Sequence, residues 1–552
     1  MNDELLARVS AWVAVDPDEG DRATIERLLR DGNDAEIHRR FDEPLSFGTA
    51  GLRGPEMAGP AGMNRCSVRR ATQGVVAWLR EIGVDTSRGV VVGRDARHGS
   101  QTFSDEVVAV LLGEGVKVYE MPRALPTPLT AYAVRVLGAA AGVMITASHN
   151  PASDNGYKLY GPDGSQIITP HDSIVERHAH AAGLAATASR DSPWHHLVSE
   201  EVLESYREHM SSRFGDSGGD LRIVYTPLHG VAGEFMRDLF QRAGYAHVAV
   251  VPEQFEPDPT FPGLAFPNPE EAGVLDAALA LAADSGAAIV LANDPDADRL
   301  GGAVRGADGS FRVLRGDEIG WLLGDVALST AQKNDVVATT IVSSSMLEKM
   351  ARGYGVTYAT TLTGFKWITK VAVGGRLAFG YEEALGYAVD PVVADKDGMS
   401  AALALARLAR DLSRRGQSLL DRLDELEWRY GVHAGAQLSL RVDAAQGRGV
   451  LKELMRRVRA TPPTSLGGVA VSEVIDLEAG ANNLAPTEGL IWRLADAGRV
   501  VVRPSGTEPK LKAYIEVVGS PSPVDLAAER QRCGRILDAV SEDLARILSP
   551  EV

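Results

Sequence analysis

Three acids at alternate positions stand in the run Asn293-Asp294-Pro295-Asp296-Ala297-Asp298-Arg299. Carboxylates this close repel one another unless a hard cation shares them, and Mg²⁺ takes oxygen ligands of this kind. An EF-hand loop also begins with alternating acids, but its sixth position would be Arg299 and its twelfth Arg305, where glycine and glutamate are needed. A solvated acidic turn is the plain alternative; a metal site held by Asp294, Asp296 and Asp298 is the reading adopted. A second cluster is Thr146-Ala147-Ser148-His149-Asn150-Pro151, followed by Asn155-Gly156-Tyr157-Lys158. An isolated serine among such residues is a helix cap or a turn. With His149 beside it and Lys158 close behind, Ser148 becomes a candidate nucleophile, because a hydroxyl reacts only when a base, a metal or a charged neighbour activates it.

Two further clusters suit a phosphorylated, hydroxyl-rich ligand. In Arg503-Pro504-Ser505-Gly506-Thr507-Glu508-Pro509-Lys510-Leu511-Lys512, Gly506 lets backbone N–H groups approach an anion, Ser505 and Thr507 add hydroxyl donors, and Arg503 adds a bidentate fork. A basic hairpin turn is the alternative. In Gly380-Tyr381-Glu382-Glu383-Ala384-Leu385-Gly386-Tyr387, the paired acids suit sugar hydroxyls. Two more loops stand out, Ser46–Gly54 with Arg53, and Thr363-Gly364-Phe365-Lys366. The chain has ten lysines among 57 basic residues, yet Lys158, Lys366, Lys396, Lys510 and Lys512 all fall in or beside such loops. A compact, titratable charge suits phosphate binding and proton transfer; solvated loop positions are the alternative.

These loops need strands to hold them. Unalternating apolar runs predict buried strands at Gly89–Val92, Val116–Tyr119, Gly142–Ile145, Leu221–Tyr225, His247–Val251, Ala288–Ala292, Val336–Ile341, Val356–Ala359 and Arg376–Phe379, with helical spacing between them. This is βαβ logic, and the clusters at 146, 293 and 380 each follow a predicted strand, where ligand loops of α/β sheets lie. The last third changes to shorter, alternating strands at Leu438–Val442, Val469–Ile475, Leu490–Leu494, Val500–Val502 and Leu511–Val518, closed by a long amphipathic helix over Pro523–Leu548. The expected fold is therefore α/β, with an α+β terminal domain.

The chain of 552 residues, 45% hydrophobic and 24% charged, has material for several domains. Its net charge of −17 and pI near 5.3 disfavour nucleic acid and anionic lipid as general partners. The two cysteines, Cys66 and Cys533, exclude a disulfide scaffold and a four-cysteine zinc site. The N-terminus carries acids where a secretory signal has bases, and no run approaches a membrane span, so a cytoplasmic protein is expected.

Taken in order, these motifs resemble the α-D-phosphohexomutase superfamily, the phosphoglucomutases and phosphomannomutases. TASHNP is similar to its phosphoserine loop, DPDADR to its metal loop, GYEEALGY to its sugar loop and RPSGTEP to its phosphate loop; FGTAGLRG and the Thr363–Lys366 turn also match. Length and the EEALGY wording look most like the branch of phosphoglucomutase-like and phosphopentomutase-like enzymes. The resemblance implies four domains around a central cleft, with boundaries placed at 1–205, 206–316, 317–430 and 431–552, three of them α/β and the last α+β. It implies a phosphoryl group on Ser148, one Mg²⁺ held by that group and by Asp294, Asp296 and Asp298, and an orienting role for Arg299. Arg503, Ser505, Gly506 and Thr507 would grip the non-reacting phosphate. Glu382 and Glu383 would read the sugar, Lys366 and Lys396 would line its pocket, and His149, Lys158 and Arg53 are candidates for proton transfer and phosphate contact.

The activity implied is a mutase moving phosphate between C1 and C6 of glucose or mannose phosphate, primed by a sugar 1,6-bisphosphate. It would act as a monomer or homodimer, without nucleic acid or membrane. Ala384 occupies a place where many phosphoglucomutases carry serine, so pentose 1- and 5-phosphates stay open as substrates, as does a synthase that releases the bisphosphate. A non-catalytic phosphosugar-binding protein is the alternative from another class; such proteins usually lose the serine or an aspartate, and here all four residues are present.

Overall fold

Val- and Ile-rich runs such as Val90–Val92 and Ala141–Ile145 are buried on both faces, and helices pack against the sheets they build. The structure, a computed structural model, describes residues 2–48, 51–215, 220–372, 375–441, 447–481, 484–495, 498–504 and 510–549. The chain divides into two units, Met1–Arg315 with Ala384–Asp411, and Gly316–Glu383 with Leu412–Val552.

The first unit opens with three helices, α1 (Asp3–Val15), α2 (Glu19–Arg30) and α3 (Asp34–Phe41). Each is capped by an Asn or Asp side chain, Asn2, Asp18 and Asn33, which accepts from backbone N–H groups of the first turn. They share a small core of Leu5, Val9, Trp12, Ile25, Ile37 and Phe41.

A six-stranded sheet follows. Its strands are β1 (Leu52–Pro55), β2 (Val90–Arg94), β3 (Val118–Glu120), β4 (Ala141–Ile145), β5 (Asp154–Tyr160) and β6 (His195–Leu197), in the order β1-β5-β4-β2-β3-β6. Strands β4, β2, β3 and β6 are parallel, whereas β5 returns antiparallel to β4 and β1 runs antiparallel to β5. The helix Glu200–Phe214 precedes the next sheet in the chain. That sheet has the order β11-β10-β9-β7-β8, from β7 (Arg222–Thr226), β8 (His247–Val250), β9 (Ile289–Ala292), β10 (Gly301–Arg305) and β11 (Phe311–Val313). It repeats the plan: β8, β7 and β9 are parallel, and β10 returns antiparallel to β9.

Sequence patterning gives the parallel strands except the short edge strand β6, and misses both return strands. The segment Asp154–Tyr160 begins Asp-Asn-Gly, which reads as a turn, and Gly301–Arg305 begins with two glycines. The glycine is needed at 302: a Cβ there would lie 2.7 Å from the carbonyl oxygen of Val290 on the neighbouring strand.

In the second unit, β12 (Asp335–Thr340) pairs in parallel with β13 (Thr357–Thr361) and with β14 (Arg376–Glu382). Strand β14 runs three residues past its predicted end and so takes in Gly380 to Glu382. The chain then enters Ala384–Asp411, which carries the short strand β15 (Gly386–Ala388) and belongs to the first unit. The C-terminal part is an antiparallel sheet ordered β16-β21-β20-β19-β18-β17, from β16 (His433–Arg441), β17 (Ser465–Leu466), β18 (Val469–Asp476), β19 (Leu490–Leu494), β20 (Gly498–Pro504) and β21 (Lys510–Val518). The helix Leu526–Leu548 covers it, burying Val540 and Leu544 with Trp492 and Ile515. This is the α+β domain that the alternating pattern predicts. Among the described residues no helix is long and apolar enough to cross a membrane.

Candidate active site

Two loops of the first unit occupy the same kind of place, between a buried parallel strand and the strand that returns against it. Residues 146–153 join β4 to β5, and residues 293–300 join β9 to β10. Each holds a non-glycine residue in the left-handed region, Ser148 at φ 54° and Ala297 at φ 57°. Such a conformation costs on the order of 1–3 kcal/mol and persists only where the surroundings over-determine it.

The surroundings of Ser148 do so. Its N–H donates to Thr146 Oγ1 at 2.8 Å. Arg97, buried at the end of the segment that leaves β2, donates to four carbonyl oxygens: Ser148 at 2.6 Å, Asn150 at 2.7 Å, Pro151 at 2.7 Å and Asp154 at 3.0 Å. Asp95 fixes Arg97 in turn, through its backbone N–H at 3.0 Å and through the guanidinium at 3.3 Å.

The result aims Ser148 at the acidic loop. Its Oγ donates to Asp294 Oδ2 at 2.6 Å. Oγ is also hydrogen-bonded to His149 Nδ1 at 3.1 Å. Burial, helped by Arg299 and Arg53, holds His149 well below the usual imidazole range, so it is neutral. Arg53 comes from β1 and donates to Asn150 Oδ1 at 3.1 Å, while its Nε is buried without a hydrogen bond.

Asp294, Asp296 and Asp298 are fully buried, and one oxygen from each falls within 4.8 Å of the others. Lys158, on β5, donates to Asp296 Oδ2 and Asp298 Oδ2, both at 2.6 Å. Lys396 reaches Asp298 Oδ2 at 2.9 Å, and Thr127 Oγ1 donates to Asp296 Oδ2 at 2.6 Å. Burial alone would raise Asp298, but Lys158, Lys396 and Arg299 outweigh it and hold its carboxyl well below the usual range. Asp296 is also lowered, Lys158 and Thr127 overcoming burial and the charge of Asp298. Asp294 is pushed up to about 8 by burial and by the other two aspartates. The remaining oxygens, Asp296 Oδ1 and Asp298 Oδ1, are buried and make no hydrogen bond. Two orphaned carboxylate oxygens beside Asp294 and Ser148 Oγ form an all-oxygen donor set, and it fits Mg²⁺.

The segment 384–411 closes around this loop. Leu300 N–H donates to Leu385 O at 3.0 Å, Gly398 N–H donates to Ala297 O at 3.2 Å, and Arg299 pairs with Gly386. No side chain fits at 398, where a Cβ would lie 2.1 Å from Arg299 O. Arg299 itself stands 3.9 Å from both Asp294 and Glu270.

The first unit thus brings together Ser148, His149, Lys158, Arg53, Asp294, Asp296, Asp298, Arg299 and Lys396. The second unit carries the other predicted residues. Glu382 ends β14 and accepts from Gly364 N–H at 2.7 Å, two residues before Lys366 on the short helix Phe365–Ile368. Glu383 Oε2 accepts from Ser343 Oγ at 2.8 Å and Thr340 Oγ1 at 3.3 Å. Arg503 lies near the end of β20, opposite Lys512. Ser505, Gly506 and Thr507 lie outside the described residues, as do Thr49 and Ala50 of the Ser46–Gly54 motif. The C-terminal sheet is tied to the loop after β12, where Arg499 donates to Ser343 O at 2.5 Å and Glu516 accepts from Ser344 Oγ and Ser345 N–H, both at 2.7 Å.

Four sequence profiles of one family match successive parts of the chain between residues 44 and 530. Phosphoglucomutase/phosphomannomutase alpha/beta/alpha domain I matches residues 44–185, domain II 204–307, domain III 315–430 and the C-terminal domain 441–530. The chain belongs to the phosphoglucomutase/phosphomannomutase family. It is 40% identical over 466 residues to a Haemophilus influenzae protein named "Probable phosphomannomutase", covering 83% of this chain and 93% of that one. It is 34% identical over 590 residues to a mouse phosphopentomutase, covering 98% and 95%. It is 32% identical over 596 residues to human glucose 1,6-bisphosphate synthase, covering 98% and 94%. The protein is a phosphosugar mutase, an intramolecular phosphotransferase of the phosphohexomutase type.

Residue-by-residue reading of this mutase misses Arg97, Asp95 and Thr127. The first two had a legible signal, since Gly93-Arg94-Asp95-Ala96-Arg97-His98-Gly99-Ser100 is a polar cluster straight after a buried strand. Thr127 had none, as its partner lies 169 residues away. Arg97 acts as a positioning residue, and Arg97→Met would strand four carbonyls and Asp95. A destabilisation of roughly 3–5 kcal/mol is expected, with faster amide exchange over residues 146–154. Unchanged exchange there would contradict the role.

Glu383 supplies a second prediction. Burial, with Glu382 and Asp317 nearby, raises its carboxyl from the ordinary 4.5 to about 7. Between these values the folded chain binds the extra proton, so this contribution to stability is full below about pH 4.5 and is lost as pH rises towards 7. Glu383→Gln should remove that slope, read as the wild-type-minus-variant difference in denaturation midpoint across the window. A difference independent of pH would refute it.

Proposed function

We propose that the mutase interconverts hexose 1-phosphate and hexose 6-phosphate, glucose and mannose being the candidates, through a phosphoserine at position 148 and a sugar bisphosphate intermediate. The observation that carries the serine assignment is Ser148 Oγ lying 2.6 Å from Asp294, beside a buried three-aspartate cluster. Mg²⁺, when bound, supplies positive charge that neutralises oxygens of the transferring group. Asp294, Asp296, Asp298 and the serine oxygen would hold it.

The chain's own residues do the rest. Arg97 and Thr146 hold the serine backbone against displacement. Lys158 and Lys396 keep Asp296 and Asp298 ionised. His149, neutral and bonded to the serine oxygen, can take a proton from an attacking sugar hydroxyl, whereas Lys158 sits between two carboxylates as an ammonium. Arg299 and Arg53 would face the phosphoryl oxygens. In the forward step the sugar oxygen forms a bond to phosphorus and the bond to Ser148 Oγ breaks, giving a bisphosphate. That species then returns its other phosphate to Ser148, so a trace of sugar 1,6-bisphosphate primes the enzyme. Glu382, Glu383 and Lys366 would read the sugar, and Arg503, Ser505, Gly506 and Thr507 would grip the phosphate not being transferred. Two free, buried cysteines agree with the cytoplasmic setting proposed.

Phosphopentomutase activity is the second reading. It is favoured by the mouse phosphopentomutase matching 98% of the chain and by Ala384, which offers no hydroxyl to the sugar. A panel of glucose, mannose and ribose 1-phosphates, with Mg²⁺ and a trace of bisphosphate, decides between them. A hexose is expected to lead in kcat/KM. A tenfold lead for ribose 1-phosphate, about 1.4 kcal/mol in transition-state binding, would overturn the hexose assignment. Accumulation of free bisphosphate instead of the isomerised monophosphate would overturn both in favour of a synthase.

A further inference from the structure

The helices α1–α3 precede residue 44, where the first family profile begins, and they are not simply packed on the sheet domain. Between the two lies a cavity of about 310 Å³, within the size range of small-molecule sites. Trp12 and Phe41, set edge to face at 6.3 Å, form one wall, and Phe47 and Leu52 form the other. Two cations line it as well. Arg8 donates to Phe41 O, and Arg70 donates to Ala179 O at 3.1 Å and to His180 O at 2.6 Å while its guanidinium lies 5.4 Å from the Trp12 ring centre. Neither guanidinium has a carboxylate partner among the described residues, in a chain whose net charge is −17. The one acid in the lining, Glu176, stands 3.6 Å from His180.

We propose that this cavity is an effector site for a small aromatic carboxylate. Its rings supply flat apolar contact, and its two guanidinium groups, neither of them on a carboxylate among the described residues, supply charged N–H donors that a carboxylate takes. The cavity also has a route to Ser148. Leu52 lines it from β1, and the next residue, Arg53, points to the opposite face of the strand and holds Asn150 of the serine loop. A ligand that presses on Leu52 therefore bears on the strand that carries Arg53.

The test is calorimetric titration of the whole chain with indole-3-acetate and with 3-methylindole, which has the ring but no carboxylate. It needs no turnover, so it stands apart from the mutase assignment. Saturable one-to-one binding of indole-3-acetate is expected, with 3-methylindole at least tenfold weaker. Arg8→Gln and Ala11→Phe, the latter filling the cavity from an exposed helix position, should each weaken indole-3-acetate at least tenfold. Amide exchange over residues 146–154 should change when indole-3-acetate is bound. No saturable binding at millimolar concentration, equal affinity for the two probes, or undiminished binding to Ala11→Phe would overturn the site. Binding with unaltered exchange in the serine loop would overturn its role as an effector site.

Discussion

Ser148→Ala should lose mutase turnover by on the order of a thousandfold or more, in a protein that still unfolds close to the wild-type denaturant concentration. The asymmetry follows from what the residue's atoms do. The backbone holds the loop: Ser148 N–H bonds Thr146, and its carbonyl is one of four gripped by Arg97. Alanine keeps both, and at φ 54° it bears the same strain as serine because both carry a Cβ. The hydroxyl alone is lost, and with it its hydrogen bonds to Asp294 and His149, about 1 kcal/mol each. That hydroxyl bonds both Asp294 and His149, and alanine puts no oxygen in its place to carry a phosphoryl group. Intact mass adds a second readout. After incubation with sugar bisphosphate the wild-type chain should gain one phosphate, and the variant none. Residual turnover within tenfold of wild type would refute the phosphoserine assignment.

The parts of this site legible in the sequence share one property: each is a polar run directly after a stretch of apolar residues. Thr146–Pro151 follows β4 and Asn293–Arg299 follows β9, and both loops lie at the carboxyl ends of buried parallel strands. What patterning does not show is how the chain comes back. The strand β5 is fully buried from Asn155 onward, yet it carries Lys158 and opens with turn residues, so its composition hides it. The lysine is tolerated there because two carboxylates from another loop neutralise it, and no local rule contains that information. Lys396 shows the same limit. Reading by resemblance sends it to the sugar pocket, whereas its ammonium lies on Asp298, delivered by a segment that follows β14 in sequence and packs on the metal loop. The close approach that delivers it is written only as Gly398, a glycine like many others until the backbone oxygen of Arg299 is seen beside it. The cavity beside helices α1–α3 likewise depends on side chains from segments as far apart as Arg8 and Glu176.

Lys158→Met should produce a large loss of stability, and one that depends on the divalent cation. Lys158 is fully buried and is the only ammonium on Asp296 among the described residues, while Asp298 also has Lys396. Methionine fills similar space and removes the charge, leaving the buried Asp296 with Thr127 and an orphaned oxygen. Breaking a buried pair in this way costs roughly 3–5 kcal/mol, above the ~1 kcal/mol for each hydrogen bond lost in Ser148→Ala. Mg²⁺ offers two positive charges to the same oxygens, so it should stabilise the variant more than the wild type. Denaturant midpoints measured with chelator and with saturating Mg²⁺ test this: the variant's midpoint should be well below wild type in chelator and should rise further on adding Mg²⁺. Turnover should remain depressed by at least ~10²-fold even with Mg²⁺, because the ammonium also fixes which aspartate oxygens face the serine. Equal Mg²⁺ shifts in the two proteins would mean that Lys158 does not share these carboxylates with the cation. A variant as stable as wild type in chelator would mean that Asp296 and Asp298 need no internal countercharge, and the case for a cation between them would fall with it.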